Sequence, residues 1–491
     1  MITIDFSKRN NLGLCEFLYE SIKEQILENI LKANEKLPSK RALACHLGIS
    51  VITVQNAYGQ LISEGYIYSI EKKGFFVADI AVENQFFQRK ELNNNGEKNT
   101  CDYGTEPVTE TVCDYSQVVS NEKKYFVDLK SNTTSYEKFP FSLWSHVTRQ
   151  VLNSGDERLL QRMSANGVLE LRNAICQYLL EFRNMNVKPN QIVIGSGTEA
   201  LYTMLIQLLG RQSVYAVENP GYKKVARIFE INGASFIPIN IRKNGISIKE
   251  LENSFANVIH ISPSHHFPTG IVMPVRCRGE LLDWAAKEKN RYIIEDDYDS
   301  EFRFNGKPLQ TLQSTDTSDC VIYMNTFSKT LAPSFRISYM VLPLKLTKVF
   351  EEKLGFSSCS VSSFEQYTLA EFLQKGFYAK HIIRMKNYYR NLRNGLIRCL
   401  QASKLSEISE IQEEDSGLHF LLRINFLYSG EELKLRLENQ GIRASFLSDF
   451  FYNQSSIEEQ NNSHVLVVNY SGIKKEQIPE LVLRMEKAIL E

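Results

Sequence analysis

The chain has 491 residues, too many for one hydrophobic core, and at roughly 100 to 200 residues per domain two or three domains are expected. Lysine plus arginine number 57, and aspartate plus glutamate also 57. No global charge therefore draws it to nucleic acid, a membrane surface or acidic ligands, and any nucleic-acid contact must come from a local surface. Nine scattered cysteines without a C-x-x-C pair do not match a disulfide framework or a zinc site. The N-terminus lacks a charged-then-apolar leader layout and no run approaches 18 apolar residues, so an intracellular protein of the reducing cytoplasm, without a membrane partner, is expected.

Leu14, Phe17, Leu18, Ile22, Ile26 and Ile30 recur at helical spacing, which predicts an amphipathic helix over residues 14–31. Leu37-Pro38-Ser39 then stops and restarts the chain, with Ser39 as N-cap of a second helix through Ala42, Leu43, Ala44 and Leu47, ended by Gly48. Ser50 caps a third helix over 53–64. Two short strands follow, Gly65-Tyr66-Ile67 and Gly74-Phe75-Phe76-Val77, around a turn at Glu71-Lys72-Lys73. Three helices and a hairpin make a winged helix-turn-helix over residues 1–80.

Over residues 81–124 hydrophobic periodicity disappears and Asn, Glu, Lys, Thr and Ser dominate. A flexible coil of that length spans on the order of 35 Å. From 125 to 491, buried-strand runs at 192–194, 213–217, 258–261, 292–294 and 321–323 alternate with helical patterns. That alternation predicts a large α/β domain with a mostly parallel sheet.

In the head, the polar start of the third helix offers Ser50, Thr53, Gln55 and Asn56 to base edges in a major groove, and Lys40, Arg41, Lys72 and Lys73 to phosphates. Residues 1–80 carry nine basic and nine acidic side chains, so the expected basic excess is missing and a small interaction module is the alternative. The order of residues bears on this choice. Leu37-Pro-Ser-Lys-Arg-Ala-Leu-Ala44, Leu47-Gly-Ile-Ser50, Thr53-Val54, Ala57-Tyr58, Leu61 and Glu64-Gly65-Tyr66 resemble the GntR family of bacterial regulators. The resemblance implies DNA contacts by Ser39, Arg41, Ser50, Thr53 and Tyr58, although Tyr58 and Leu61 fit core positions equally. Val51 stands where that family commonly carries arginine.

The large domain carries the parts of a pyridoxal 5'-phosphate (PLP) site in order: a lysine for the Schiff base, a carboxylate for the pyridine nitrogen, a donor to the phenolate oxygen and a phosphate cup. Gly195-Ser196-Gly197-Thr198-Glu199-Ala200 follows a strand and opens a helix, where amides and hydroxyls can cradle a phosphate. Glu295-Asp296-Asp297-Tyr298 closes another strand and puts carboxylates and a phenol at the carboxyl end of the sheet. Alone, those acids would read equally as metal ligands or a solvated loop. A third strand leads into Asn325-Thr-Phe-Ser328-Lys329-Thr-Leu-Ala-Pro-Ser-Phe-Arg336, where Ser328 and Arg336 add charge-assisted contacts and Lys329 supplies the amine.

With Glu218-Asn-Pro-Gly-Tyr222 and Ser262-Pro-Ser-His-His-Phe-Pro-Thr-Gly270, these motifs resemble the fold type I aminotransferases, and with the head in front of them the MocR/GabR-type regulators. The resemblance implies that Lys329 forms the internal aldimine. It further implies that Asp296 holds the pyridine nitrogen and Tyr298 the phenolate oxygen, and that Ser196, Gly197, Thr198, Ser328 and Arg336 hold the phosphate. Tyr222 is a candidate to stack on the ring or simply to pack. The resemblance also implies a homodimer that presents two heads to a double-stranded DNA operator and answers to an amine or amino-acid effector.

Histidines 260, 265 and 266 invite a metal reading, but the Pro-Thr-Gly context favours a cofactor-pocket loop. Two departures bear on activity. Phe267 replaces the asparagine usual before Pro-Thr-Gly, and Leu466-Val467-Val468-Asn469-Tyr470-Ser471 lacks the arginine that a working enzyme uses for a substrate carboxylate. Arg423 and Arg443 are possible substitutes. A regulator with little or no complete transamination is expected; the alternatives are a working aminotransferase with a DNA-binding head and a cofactor-free structural dimeriser.

Overall fold

The computed structural model describes residue 4 and residues 13–64, 66–70, 73–78, 125–130, 138–242, 245–304, 309–412, 417–452 and 462–491. The expected linker 81–124, Gly65 and Lys72 lie outside the described residues. The described residues form two compact units, one within Met1–Asp114 and the other within Tyr115–Glu491.

In the first unit, helix Leu14–Leu27 buries Leu18, Tyr19, Ile22 and Ile26. It stops four residues before the expected end. Asn29 turns left-handed at φ 60° and Ile30 is 61% exposed, so the local turn overrides the apolar repeat. Helix Lys40–Leu47 begins where Ser39 accepts from the Ala42 amide at 3.2 Å, and ends on Gly48 at φ 66°. Helix Val51–Ser63 begins the same way, Ser50 accepting from the Thr53 amide at 3.0 Å. Strands Ile67–Ile70 and Gly74–Val77 pair antiparallel, and Lys36–Leu37 adds an unexpected third strand beside Gly74–Val77.

Leu18, Ile22, Leu43, Val54, Ala57, Tyr58, Leu61, Ile67 and Val77 form one core. Of the two places the sequence left open for Tyr58, the structure puts it in the core: it is 0% exposed, its hydroxyl donates to Pro38 O at 3.1 Å and its ring meets Phe75 edge-on at 5.0 Å.

The second unit is built on an eight-stranded sheet in the order Ile192–Gly195, Ser338–Val341, Val321–Thr326, Tyr292–Asp296, Val258–Ile261, Val214–Asn219, Ser235–Arg242, Gly245–Ile246. The run from Val321–Thr326 to Ser235–Arg242 is parallel, whereas Ser338–Val341 is antiparallel to both neighbours. The sheet is thus mostly parallel, with its central strands buried along their whole length because both faces are covered. A second, antiparallel sheet of Ser409–Gln412, His419–Ile424, Val465–Asn469 and Ser445–Phe446 packs with helices Phe377–Ala402, Gly430–Asn439 and Ile478–Leu490 around a separate core. Val127–Asp128 joins that region by pairing with Ile442–Arg443.

Candidate functional site

Strand register builds one pocket. Ser338 faces both Gly195 and Thr326, and Asp296 faces Met324. The turns leaving three strands and the segment entering a fourth therefore emerge side by side at one end of the sheet, where such folds bind ligands. A cavity of about 500 Å³ opens there, and Thr198, Tyr222, Asp296, Tyr298, Ser328, Lys329 and Arg336 all line it. Ser196 and Gly197 stand against Arg336, which donates to Ser196 O at 3.4 Å; a Cβ on Gly197 would lie 2.4 Å from the guanidinium. At φ 94° Gly197 also occupies backbone space that other residues rarely enter.

Burial pushes the Lys329 amine down to about 8, with Asp299 and Asp296 pulling the other way. Asp296 Oδ2 accepts from Tyr202 Oη at 3.0 Å and lies 3.5 Å from His260 Nε2, while its Oδ1 is buried without a partner. Ser328 Oγ is likewise buried and unpartnered. Buried polar atoms without partners are costly, so both suit a polar ligand in the cavity. Tyr298 Oη lies 3.3 Å from His265 Nδ1, which is 2.8 Å from Asp299 Oδ2. Burial, reinforced by Asp299, holds the Tyr298 phenol well above its ordinary range, so it stays neutral and can donate to an anionic oxygen.

The histidines are committed to separate neighbours. His260 contacts Tyr202 at 2.7 Å and His266 contacts Thr269 Oγ1 at 2.7 Å, with burial driving the His266 imidazole down to about 3. No group of three or more His, Cys, Asp or Glu side chains is placed to hold a metal among the described residues. Tyr202 and Asp299 join the site without having been marked by any sequence motif, and His260 and His265 take part through Tyr202, Asp296 and Asp299. Tyr202 had a usable signal, being four residues after Thr198 on one helix and so on the same face.

Val467, Asn469, Ser445, Phe450 and Phe267 line the pocket as well. Tyr222, 49% exposed, sets its ring edge-to-face on Phe267 at 5.8 Å. Neither arginine raised as a substitute lines the cavity: Arg443 pairs with Asp128 at 3.3 Å, and Arg423 reaches Asn462 at 3.4 Å.

In the first unit, Ser39, Arg41, Ser50, Gln55, Asn56 and Lys73 are exposed, and Thr53 is half-buried with its hydroxyl 2.8 Å from Ser50 Oγ. Lys40 is half-buried, its ammonium 5.4 Å from the Phe75 ring centre. Ser39 and Ser50 are tied to helix starts, so their hydroxyls already serve the fold.

Residues 124–438 match the family aminotransferase class I and II, and residues 14–77 match bacterial regulatory proteins, gntR family. The chain is 33% identical over 487 residues to the uncharacterized HTH-type transcriptional regulator YdeL of Bacillus subtilis, covering 99% of each chain. It is 29% identical over 478 residues to the probable rhizopine catabolism regulatory protein MocR of Rhizobium meliloti, covering 96% of this chain and 93% of that one. In structure it resembles the α-aminoadipate aminotransferase LysN of Thermus thermophilus, solved with N-(5'-phosphopyridoxyl)-L-leucine. That likeness has a TM-score of 0.63 at 22% identity and covers 74% of this chain and 92% of that one.

Proposed function

The chain belongs to the MocR-type transcription regulators, a GntR-family head fused to an aminotransferase class I and II unit, and on that premise we propose that the large unit is a sensor. Lys329 holds PLP, and the unit responds to the cofactor or to an amine or amino acid presented to it. The observation that carries this reading is the pairing of a half-buried lysine whose amine is lowered to about 8 with two unpartnered buried oxygens, Asp296 Oδ1 and Ser328 Oγ, on one cavity.

The residues fit the group. Asp296 Oδ1 suits a protonated ring nitrogen, the neutral Tyr298 phenol suits a phenolate oxygen, and Ser328, Arg336 and the turn Ser196–Thr198 suit a phosphate beside a helix N-terminus. When bound, the cofactor supplies an electrophilic carbon for primary amines and an electron-withdrawing ring. Tyr222 and Phe267 meet edge-to-face on the cavity lining, and Glu199 pairs with both Arg336 and Lys224 beside the phosphate end. Val467, with Arg423 and Arg443 away from the cavity, leaves no arginine on that wall for a substrate carboxylate among the described residues, which favours sensing over complete transamination. A bound effector moves the head between DNA-binding states only through unequal affinity for two conformations of the protein. We place the protein on its operator as a homodimer.

The test is a visible absorbance spectrum of purified protein titrated with PLP, then with amines and amino acids. A band in the wild type that is absent from Lys329→Ala, and shifts with an effector that also changes DNA affinity, supports the sensor. No band in either protein overturns it, and catalytic release of keto acid would make the large unit an enzyme.

A further inference from the structure

Helix Val51–Ser63 contains no charged residue at all. Its inward positions Val54, Ala57, Tyr58 and Leu61 are 0% exposed. Its exposed positions are Val51, Ile52, Gln55, Asn56, Gly59 and Gln60, with Ile62 39% exposed near the far end. At the helix start, the end that the second helix of a helix-turn-helix presents to base edges, Val51 is 41% exposed and Ile52 is 71% exposed. Two β-branched aliphatic side chains there thus leave much of their apolar surface in water. One turn further along, the same face carries only the amides of Gln55 and Asn56. Cations stand outside this face, Arg41 on the preceding helix and Lys73 at the strand turn, both exposed.

In a major groove these side-chain types are not interchangeable. Guanine is read chiefly by arginine or lysine, and cytosine by a carboxylate; none of these is on this face. Adenine is read by asparagine or glutamine, and thymine is the only base that offers a methyl group to an apolar side chain. We infer that this helix reads A·T pairs, Val51 and Ile52 packing on thymine methyls while Gln55 and Asn56 bond neighbouring adenines, with Arg41 and Lys73 on flanking phosphates. The inference rests on the DNA-binding reading of the head and adds the base class it selects. A neutral face flanked by cations also accounts for a head without a basic excess: phosphate attraction is confined to the rim, and selectivity comes from shape and methyl burial in the centre.

The test uses the full-length protein. Sites are selected from a random duplex pool, and each thymine in the selected half-site is then replaced by uracil, which removes only the methyl. Half-sites with thymines at one or two positions where uracil weakens binding about fourfold are expected, the equivalent of losing about 0.8 kcal/mol for one buried carbon. Ile52→Ala, at an exposed position that leaves the fold intact, should lose most of the uracil penalty at the thymine Ile52 covers and keep it at the thymine under Val51. Val51→Arg should shift one selected position toward guanine. Enriched sites indifferent to uracil, or an Ile52→Ala protein that keeps the full uracil penalty at every thymine, overturn the inference and leave DNA binding standing. A pool in which nothing is enriched overturns DNA binding and the inference together.

Discussion

Arg336 and Glu199 face each other across the Gly197 turn, Nη2 to Oε2 at 2.6 Å, with both side chains partly in solvent. Lys224 pairs with the same carboxylate. Exposed pairs of this kind contribute about 0–1 kcal/mol, so an incoming phosphate can take Arg336 from Glu199 at little cost. Removing the carboxylate leaves two cations at the anionic end of the pocket. Glu199→Gln should therefore bind PLP about two- to tenfold more tightly at low ionic strength, an advantage that shrinks as salt rises. Titration of the cofactor absorbance measures it; weaker binding would mean that Glu199 holds Arg336 in its working position.

The Lys329 amine, lowered by burial to about 8, is the nucleophile only when neutral. At pH 7.5 roughly a quarter of it is neutral, against about a thousandth for a lysine at its ordinary value. Labelling of Lys329 by trinitrobenzenesulfonate, followed by peptide mass, should rise with a midpoint near pH 8 and level off above pH 9. Asp299 opposes the burial effect, so Asp299→Asn should move the midpoint lower still. A midpoint near 10 in the wild type would show that the amine is not held in a dry site.

The parts of the pocket legible in the sequence are those that sit next to a strand end: Asp296, Tyr298, Ser328 and Lys329 each follow an apolar run, and parallel strands place such turns on one side. What stayed hidden depends on register and side-chain direction. His265 meets Asp299, and Tyr202 meets both His260 and Asp296, through strands and helices far apart in the chain. The two-residue strand Lys36–Leu37 is too short to show a period. Tyr58 was legible, since Val54, Ala57, Tyr58 and Leu61 fall at i, i+3, i+4 and i+7, and that spacing outweighs the polar tip of the ring.

Tyr58 separates the two roles that its position in the head suggested. Its hydroxyl donates to Pro38 O and its ring is enclosed by the first unit's core. Tyr58→Phe should lower the head's stability by about 1 kcal/mol, the net worth of one hydrogen bond. Tyr58→Ala should cost about 3–5 kcal/mol through the cavity it leaves. Operator affinity of the folded Tyr58→Phe protein should be unchanged. Paired denaturation and DNA-binding curves check this; lost affinity at full stability would return Tyr58 to the DNA surface.

Glu295, buried, and Glu301, half-buried, flank Asp297, whose Oδ2 is held by Tyr323 at 2.7 Å, Ser300 at 2.9 Å and Arg183. Burial first, and then the Asp297 charge, pushes both glutamates up to about 7. Glu295 accepts from the Leu312 and Gln313 amides and Glu301 from Tyr178 Oη at 3.0 Å, contacts too weak to hold the charged form at its ordinary value. Between the ordinary glutamate range and pH 7 the folded state binds more protons than the unfolded chain, so stability is greatest at low pH within that window and falls as pH rises through about 7. The second unit's Tm should decline from pH 5.5 to 8 by about 2 °C for each kcal/mol lost. Glu301→Gln, which keeps the shape and cannot ionise, should flatten the decline and stabilise the unit at pH 8. A Tm that rises across this range, or a Glu301→Gln protein with the wild-type slope, would place the charge of these carboxyls outside the energetics of the fold.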